Sequence, residues 1–431
     1  MLLSAAAFAK TEGILDLAMR YNPLLRARVS RAEAWYKAHG VESLRDMLTQ
    51  HTVAAARNSR YGADKSARYE DWPLLDKVTV RANPRDFLNP FIWGRLPAST
   101  GGTTGTPLNL WRSLECIVAE QSFIDTLLAP HGFSIRHSRV AVLRGDRIKA
   151  QDDLVPPYGR ISHRGKRLTF SSAHLSPQTL PWFAGAIRDF MPDVLWVYPS
   201  AVLNLLSLVQ RADIDLRIPL ILASSEMMPA SLHRALADCF RSQVVNYYGQ
   251  AERLCLAYSV KPDEFFFHPA YGRAELIPHE SDPTTAAIVA TNYWNLAMPL
   301  VRYQTGDLAQ LPDNCGVAEL VEISLGLRAF SGILGRDGEY LVTRDGMRII
   351  GLNQIPREIE HVLQLQLVQK DPENLLINVA TAPGYGPRDA AHILDNARLK
   401  IPVSIDIQVQ EVQNLIVNAR GKAPFVVRLF D

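Results

Sequence analysis

The segment Ser99-Thr-Gly-Gly-Thr-Thr-Gly-Thr-Pro107 combines three glycines with five hydroxyl-bearing side chains. Glycine lets backbone N–H groups come close to an anion, and the hydroxyls add further donors, so this segment could surround a polyphosphate. It is not a Walker A loop, because no Lys follows Gly105 and residues 108–112 have the composition of a strand. Taken alone, the segment is equally compatible with a flexible polar loop that joins two strands.

Further motifs follow the loop in a fixed order. They are Asn246-Tyr-Tyr-Gly-Gln-Ala-Glu252, Arg302-Tyr-Gln-Thr-Gly-Asp307, Gly335-Arg336 and Gly421-Lys422. Together with the loop they resemble the adenylate-forming acyl-CoA synthetase superfamily. The short chain and the composition of the loop are similar to those of phenylacetate–CoA ligases and their relatives. The resemblance runs from about Leu74-Leu-Asp-Lys77 to the C-terminus.

The resemblance implies that the glycine-threonine loop holds the phosphates of ATP. The residues concerned are Ser99, Thr100, Gly101, Gly102, Thr103, Thr104 and Gly105. It also implies that Glu252 takes part in catalysis by helping to hold the Mg²⁺ that accompanies ATP, since a hard carboxylate oxygen suits that ion. The alternative for Glu252 is a solvated surface carboxylate.

The adenosine part of ATP has its own set of expected contacts. Tyr247 and Tyr248 offer an aromatic wall for adenine, although tyrosine in a buried turn is also common core material. Asp307 can accept hydrogen bonds from two adjacent ribose hydroxyls, and its alternative is an Asx turn within its own loop. The resemblance adds Ser225 and Glu226 as adenine contacts. It also adds Arg336 as a contact to the ribose or α-phosphate, with a surface salt bridge as that residue's alternative.

The resemblance further places the acyl pocket at Tyr198, Ser224 and Gly249. It assigns Lys422 to catalysis, because an ammonium group there could stabilise the charge that gathers when a carboxylate attacks the α-phosphate. Without that context Lys422 would be a solvated charge near the chain terminus. Two positions depart from the superfamily pattern: Thr106 stands where many members have Lys, and Gly335-Arg-Asp-Gly-Glu339 replaces the commoner Gly-Arg-x-Asp-Asp.

The implied reaction is an ATP-dependent acid–thiol ligation. A carboxylic acid, expected to be aromatic, reacts with ATP to give an acyl-adenylate and pyrophosphate, and a thiol then displaces AMP. ATP, Mg²⁺ and coenzyme A are the expected cofactors. A carrier-protein thiol or an amine is the alternative acceptor. From another class of function, the alternative is a nucleotide-binding regulatory protein without turnover.

The amino-acid composition restricts the possible binding partners and the expected cellular location of the protein. Forty-six basic and 44 acidic residues give a net charge of +2, which offers no global basic field for nucleic acid. The apolar run of the first nine residues is too short for a membrane span. Four cysteines without a Cys-x-x-Cys pair fit a reducing compartment, so a cytoplasmic enzyme is expected, with a homodimer as one option. Cys255, His268 and Cys315 are zinc-ligand candidates, but three scattered residues do not define a site.

The elements that must position these residues suggest an α/β fold with two domains. The chain of 431 residues exceeds a single core, and the boundary is expected near Leu334–Asp337. The prediction is a large multi-sheet adenylate-forming domain, residues 1–334, and a small mobile α/β domain, residues 335–431. Continuous apolar strands between helices indicate a buried parallel sheet. Expected strands are 140–143, 194–197, 220–222, 244–245, 287–290, 375–379 and 404–412; expected helices are 32–57, 177–190, 201–211, 230–240, 354–364 and 388–399.

Overall fold

An eight-stranded sheet lies at the centre of the computed structural model. The structure describes residues 18–99, 108–144, 146, 148–150, 152–225, 228, 230–279, 282–336, 340–349, 352, 355, 359, 361–381, 384–412, 416 and 425–430. Beside this sheet stand a β-hairpin, a four-stranded antiparallel sheet and a C-terminal four-stranded sheet. The expected α/β class with several sheets is therefore confirmed.

The eight-stranded sheet has the order β10-β9-β8-β7-β6-β3-β5-β4. Its strands are β3 (Val140–Leu143), β4 (Gly159–Ser162), β5 (Arg167–Phe170), β6 (Val194–Val197), β7 (Leu220–Ser224), β8 (Gln243–Gly249), β9 (Leu256–Lys261) and β10 (Glu264–Phe267). Strands β5, β3, β6, β7 and β8 run parallel, and antiparallel strands cover both edges. The four strands predicted in this part of the chain all lie in its parallel core.

Helices cover both faces of this sheet. The helices in the described part of the chain are α1 (Pro23–Arg57), α2 (Lys77–Ala82), α3 (Leu114–Leu128), α4 (Leu180–Phe190), α5 (Pro199–Arg211), α6 (Ala230–Phe240), α7 (Val317–Ser324) and α8 (Pro387–Arg398). Leu143, Val197 and Ala223 point into a core with α4, α5 and α6. Val142 and Leu222 point to the other face, against α1 and α3. Burial on both faces explains the continuous apolar runs of these strands.

Helix α1 contains the two helical stretches that the sequence predicted between residues 32 and 57. Its N-terminus is capped by Asn22, whose side chain accepts hydrogen bonds from the N–H groups of Leu24 and Leu25. Gly40 interrupts the helix with a φ of 82°, a left-handed value that glycine adopts without a steric penalty. Short 3₁₀ turns also occur, at Tyr69–Asp71, Pro84–Phe87, Ala129–His131, His163–Gly165 and Ser172–His174.

A second sheet is antiparallel and follows the eight-stranded sheet along the chain. Its strands are β11 (Gly272–His279), β12 (Asp282–Asn292), β13 (Tyr303–Gln310) and β14 (Gly332–Arg336). The strand predicted at 287–290 exists, but it belongs to this separate sheet. The hairpin of β1 (Leu96–Ser99) and β2 (Asn109–Arg112) packs against this four-stranded sheet. Leu108 and Leu110 contribute to the apolar core that the two share.

The C-terminal sheet has the order β19-β18-β17-β20 and its own apolar core. It consists of β17 (Val362–Asp371), β18 (Asn374–Thr381), β19 (Asp406–Glu411) and β20 (Val426–Arg428), preceded by the hairpin β15 (Leu341–Val342) and β16 (Arg348–Ile349). Helix α8 packs on this sheet through Ile393, which is fully buried together with Leu367 and Ile377 of the strands. Strands β18 and β19 and helix α8 were predicted.

The helix predicted over residues 354–364 is wrong at its end, because Val362 already begins β17. Most of the preceding stretch lies outside the described residues. The apolar residues there have helical spacing, but from Val362 onward the chain pairs with β18, and residues 367–369 also pair with β20. Pairing with other strands therefore overrides the local pattern. Within the described part of the chain, no helix is long and apolar enough to cross a membrane.

Gly272→Ala tests how closely β11 approaches the end of the eight-stranded sheet. A Cβ atom at Gly272 would lie 1.7 Å from the backbone oxygen of Leu254, so the backbone must shift. We expect a loss of about 1–3 kcal/mol or more in the free energy of unfolding, measured by urea titration. Gly332→Ala is the control, since no heavy atom lies within 4 Å of its Cβ position. Equal stability of the two variants would contradict the close approach.

Candidate functional site

The carboxyl ends of β6, β7 and β8 bring together the residues expected to form the acyl pocket. Val197 is in register with Ala223, and Ser224 is in register with Tyr247. Tyr198, which follows β6, therefore lies beside Ser224 at the same edge of the sheet. Ligands of open parallel sheets bind at this edge, so the strand order alone makes it the place for a site.

Ser224 ends β7, and Ser225 follows it. The Ser225 hydroxyl donates to the Ser224 hydroxyl over 3.4 Å, and Ser224 is buried. Ser225 has a φ of 72°, a left-handed backbone that costs a non-glycine residue energy and turns the chain sharply after the strand. Tyr247 is buried beside this turn, and burial raises the pKa of its hydroxyl. Gly249 ends β8, and no heavy atom lies within 4 Å of the position that a Cβ atom would take there.

The Tyr248 hydroxyl donates a hydrogen bond of 2.8 Å to Oδ2 of Asp307. Burial, followed by the adjacent Asp307 carboxylate, raises the pKa of Tyr248 well above its ordinary value, so the phenol keeps its proton. Two motifs that are 59 residues apart in sequence thus meet through one bond. Arg336, on the neighbouring strand β14, is in register with Asp307. The backbone of this predicted ribose or α-phosphate contact therefore lies directly beside Asp307.

Glu252 is buried in the turn after β8, with 6% of its surface exposed. Its Oε1 accepts a hydrogen bond of 3.2 Å from the hydroxyl of Tyr303. The alternative of a solvated surface carboxylate is wrong at this position. Tyr303 itself is fully buried, and it begins the strand that carries Asp307.

These two bonds are reciprocal. The eight-stranded sheet supplies the Tyr248 hydroxyl to Asp307, and the four-stranded sheet supplies the Tyr303 hydroxyl to Glu252. Each sheet thus contributes one phenol and one carboxylate to the junction. Tyr303 was not among the predicted site residues, although it is the second residue of the motif that ends at Asp307.

The hairpin β1–β2 carries the glycine-threonine loop at its tip. Ser99 is in register with Asn109 at the open end of this hairpin. Arg112, at the end of β2, donates a hydrogen bond to the backbone oxygen of Ala251, next to Glu252. The base of the loop is therefore attached to the turn that contains Glu252, a contact that no motif in the sequence predicted.

Several predicted site residues lie outside the described residues. They are Thr100, Gly101, Gly102, Thr103, Thr104, Gly105, Glu226 and Lys422. The backbone position of Arg336 is described, but its side chain is not. The structure thus brings together Tyr198, Ser224, Ser225, Tyr247, Tyr248, Gly249, Glu252 and Asp307, with Ser99 at the base of the adjacent hairpin.

Lys400 is a residue of the C-terminal unit that reaches this region. Its ammonium nitrogen lies 4.0 Å from the centroid of the Tyr198 ring, and the residue is only 6% exposed. A cation over a tyrosine face is attracted by the negative charge of the ring. Because Tyr198 and Lys400 are about two hundred residues apart, no spacing in the sequence indicated the contact.

The zinc-ligand candidates do not converge. The Cys255 thiol accepts a hydrogen bond of 3.4 Å from the Gln250 amide, and burial raises its pKa to about 12. His268 packs edge-on against Phe123, with ring centroids 4.7 Å apart. Within the described part of the chain, no group of three or more His, Cys, Asp or Glu residues is arranged to hold a metal ion.

Known proteins resemble this chain in sequence and in fold. No family model matches the chain. Protein CapK of Staphylococcus aureus is 21% identical over 317 residues, which cover 72% of this chain and 69% of that protein. Phenylacetate-coenzyme A ligase of Pseudomonas putida is 28% identical over 186 residues. That match spans 40% of this chain and 39% of the ligase, so the chain matches well under half of the ligase's length.

One solved structure shares the fold across nearly the whole chain. It is the crystal structure of 2-hydroxyisobutyryl-CoA ligase in complex with 2-HIB-AMP and CoA in the thioesterification state. The TM-score is 0.52 with 13% sequence identity, covering 91% of this chain and 90% of the other. The resemblance to the adenylate-forming acyl-CoA synthetases, on the phenylacetate–CoA ligase-like branch, is confirmed by these relatives together with the fold.

His268 provides a test of the burial around the site. Burial lowers the pKa of His268 to about 4, from 6.5 in the unfolded chain. As the pH falls below 6.5 the unfolded chain gains a proton that the folded chain does not, so stability is lost between pH 6.5 and 4. We expect a cost of about 2 kcal/mol at pH 5 relative to pH 7, measured by urea titration.

His268→Gln should flatten this part of the pH dependence, even though lost packing lowers stability at every pH. His39→Gln is the control because His39 is exposed. A His268→Gln variant that keeps the full pH dependence would contradict a neutral buried imidazole at this position.

Proposed function

We propose that this chain is an AMP-forming acid–thiol ligase, which activates a carboxylic acid with ATP and transfers the acyl group to coenzyme A. The observation that carries the proposal is the hydrogen bond between Tyr248 and Asp307. It unites two motifs of an adenylate-forming enzyme at the carboxyl edge of a parallel sheet, with Glu252 bonded to Tyr303 beside them. The phenylacetate–CoA ligase relatives and the fold of the hydroxyisobutyryl-CoA ligase support the same activity.

The nucleotide is proposed to bind along β8 and β13. The ring of Tyr248 offers a face to adenine, while its hydroxyl fixes the Asp307 carboxylate so that the free oxygen lone pairs can accept ribose hydroxyls. The register of Arg336 opposite Asp307 supports a role of that residue at the ribose or α-phosphate. The loop residues 99–105 would surround the phosphates from the hairpin that Arg112 attaches to the turn after β8.

Glu252 is the residue proposed to hold Mg²⁺. The donor chemistry fits, because a buried carboxylate oxygen is a hard ligand, and one of its two oxygens is engaged by Tyr303. When bound with ATP, Mg²⁺ would neutralise part of the phosphate charge. The Tyr303 hydroxyl would fix the orientation of the Glu252 carboxylate both with and without the bound ion.

The acid is proposed to lie between Tyr198, Ser224 and Gly249. Tyr198 and Tyr247 supply aromatic surface, and Gly249 leaves open space at the end of β8. This surface supports an aromatic acid as the substrate class. The transfer to a carrier-protein thiol or to an amine is the alternative outcome of the acceptor assay below. The four cysteines are all free thiols, which is in keeping with the proposed cytoplasmic location.

A division near residue 334 into a large domain and a small mobile domain is part of the proposal. The separate apolar core around Ile377 supports it. Strand β14 pairs with β13 as far as Arg336, so a truncated large domain should retain that residue. In this division Lys422 belongs to the small domain, whereas Glu252 and Asp307 belong to the large one.

Substrate-dependent exchange of labelled pyrophosphate into ATP tests the proposed activity. A panel of aryl and fatty acids should include at least one that supports exchange, and coenzyme A should then release AMP and form a thioester. A purified, folded chain that binds ATP but gives no exchange with any acid would instead support a regulatory nucleotide-binding role. Supplying carrier protein or amine in place of coenzyme A identifies the acceptor.

Asp307→Ala should weaken ATP binding, because the ribose loses its charge-assisted hydrogen bonds. Each such bond contributes on the order of 1.5–3 kcal/mol, so calorimetry should show a loss of about tenfold or more in affinity. Asp215→Ala is the control, since that carboxylate is exposed and paired with Arg241. Unchanged affinity in a folded Asp307→Ala variant would assign Asp307 to the sheet junction alone.

Lys422→Ala should separate the two half-reactions. The charge that Lys422 would neutralise exists while the carboxylate attacks the α-phosphate and is gone once the acyl-adenylate has formed. Acid-dependent pyrophosphate exchange should fall by about 10²–10³, whereas conversion of a supplied acyl-adenylate to the thioester should be largely kept. Lys370→Ala, an exposed position in β17, is the matched control. Normal exchange in Lys422→Ala would show that Lys422 is a solvated charge.

A further inference from the structure

A small cavity that opens to solvent lies on the opposite edge of the eight-stranded sheet, at the amino ends of β3 and β5. Val140, the first residue of β3, lines it and is in register with Arg167 at the start of β5. Strand β3 has four residues and spans about 13 Å, so the cavity is distinct from the site at the carboxyl ends.

The lining of this cavity is strongly basic. Arg20 precedes α1, Arg136 lies in the loop before β3, and Lys166 and Arg167 follow the β4 strand. None of the lining residues within the described part of the chain is a carboxylate. The cavity therefore has a positive potential that favours an anion.

Asp125 of α3 is a carboxylate whose charge acts on the Tyr21 hydroxyl. It accepts a hydrogen bond of 2.8 Å from the backbone N–H of Ile135 and one of 3.2 Å from Arg26, so it already has two donors of its own.

The inner wall of the cavity is built from two buried polar side chains. Gln121 is 1% exposed and Tyr21 is 7% exposed, and both line the cavity. The Gln121 amide nitrogen and the Tyr21 hydroxyl have no hydrogen-bond partner among the described residues. A buried donor without an acceptor is costly, so both groups point to a ligand that accepts hydrogen bonds.

The Tyr21 ring is also held in place by cations. The guanidinium carbons of Arg136 and Arg26 lie 5.3 and 5.8 Å from its centroid. Two neutral donors at the inner wall, with Arg136 and Lys166 at the mouth, match a compact anion with oxygen acceptors in several directions. A tetrahedral dianion satisfies more of these groups than a planar carboxylate does.

We propose that this cavity binds a phosphate dianion, either inorganic phosphate or the phosphate group of a small phosphomonoester. The ligand would accept hydrogen bonds from Gln121 and Tyr21 and interact with Arg136 and Lys166 at the mouth. It would bridge α1, α3 and the β4–β5 connection, three segments that are distant in the sequence. The proposal does not depend on the proposed ligase activity, because it uses residues at the other edge of the sheet.

Calorimetry on the full-length chain tests the proposal, with inorganic phosphate and methyl phosphate as probes at constant ionic strength. The double substitution Arg136→Ala and Lys166→Ala changes two exposed residues and should weaken phosphate binding tenfold or more. Gln121→Leu keeps the side-chain size and removes the buried donor, so it should also weaken binding. Arg160→Ala is the matched control, since Arg160 is exposed on β4 and does not line the cavity.

Binding of inorganic phosphate that is lost in the double variant and kept in Arg160→Ala supports the proposal. If methyl phosphate also binds, the cavity accepts the phosphate group of a phosphomonoester. If only inorganic phosphate binds, inorganic phosphate is the ligand. The absence of phosphate binding by the unmodified chain overturns the proposal. Binding that is equal in the double variant and in Arg160→Ala also overturns it, since phosphate would then bind elsewhere, as at the glycine-threonine loop.

Discussion

The reciprocal exchange of hydrogen bonds between two tyrosines and two carboxylates is the interaction on which the candidate site depends. Tyr248 bonds to Asp307, and Tyr303 bonds to Glu252, so the eight-stranded and four-stranded sheets are attached by matching bonds in both directions. Hydrogen bonds to charged groups are stronger than neutral ones, and these are at least partly shielded from water. The junction therefore fixes the distance between the carboxylates that the proposed reaction requires at one nucleotide.

The same constraint explains why the site needs both sheets. The parallel strands alone supply aromatic surface and serines at their carboxyl ends, which suits an acyl group but offers little to a ribose. The antiparallel sheet adds Asp307 and, in register with it, Arg336. The hairpin β1–β2 then attaches to the turn after β8 through Arg112, which brings the base of the glycine-threonine loop to the same place.

Much of this arrangement could be predicted from the sequence because it depends on local patterns. The strand at Val194–Val197 is apolar throughout since both of its faces are buried, and the motif ending at Asp307 is a contiguous string of residues. The start of strand β17 was mistaken for the end of a helix because the apolar residues there also have helical spacing, and only the pairing with β18 and β20 makes the segment a strand. Tyr303 was missed as a partner of Glu252 because the bond crosses 51 residues. The predicted roles of the loop residues 100–105 and of Lys422 stay predictions.

The packing of Lys400 on Tyr198 has a consequence for the position of α8 relative to α5. Any rotation that carries the end of α8 away from the start of α5 separates this pair and returns a buried ammonium group to water. The contact contributes about 0.5–2 kcal/mol, which corresponds to a population ratio of roughly 2- to 30-fold in favour of the packed arrangement. In the proposed reaction, an acyl group that displaced the Tyr198 ring would remove this bias. Under the proposed function, occupancy of the acyl pocket and the position of the C-terminal unit would then be coupled, each changing the free energy of the other.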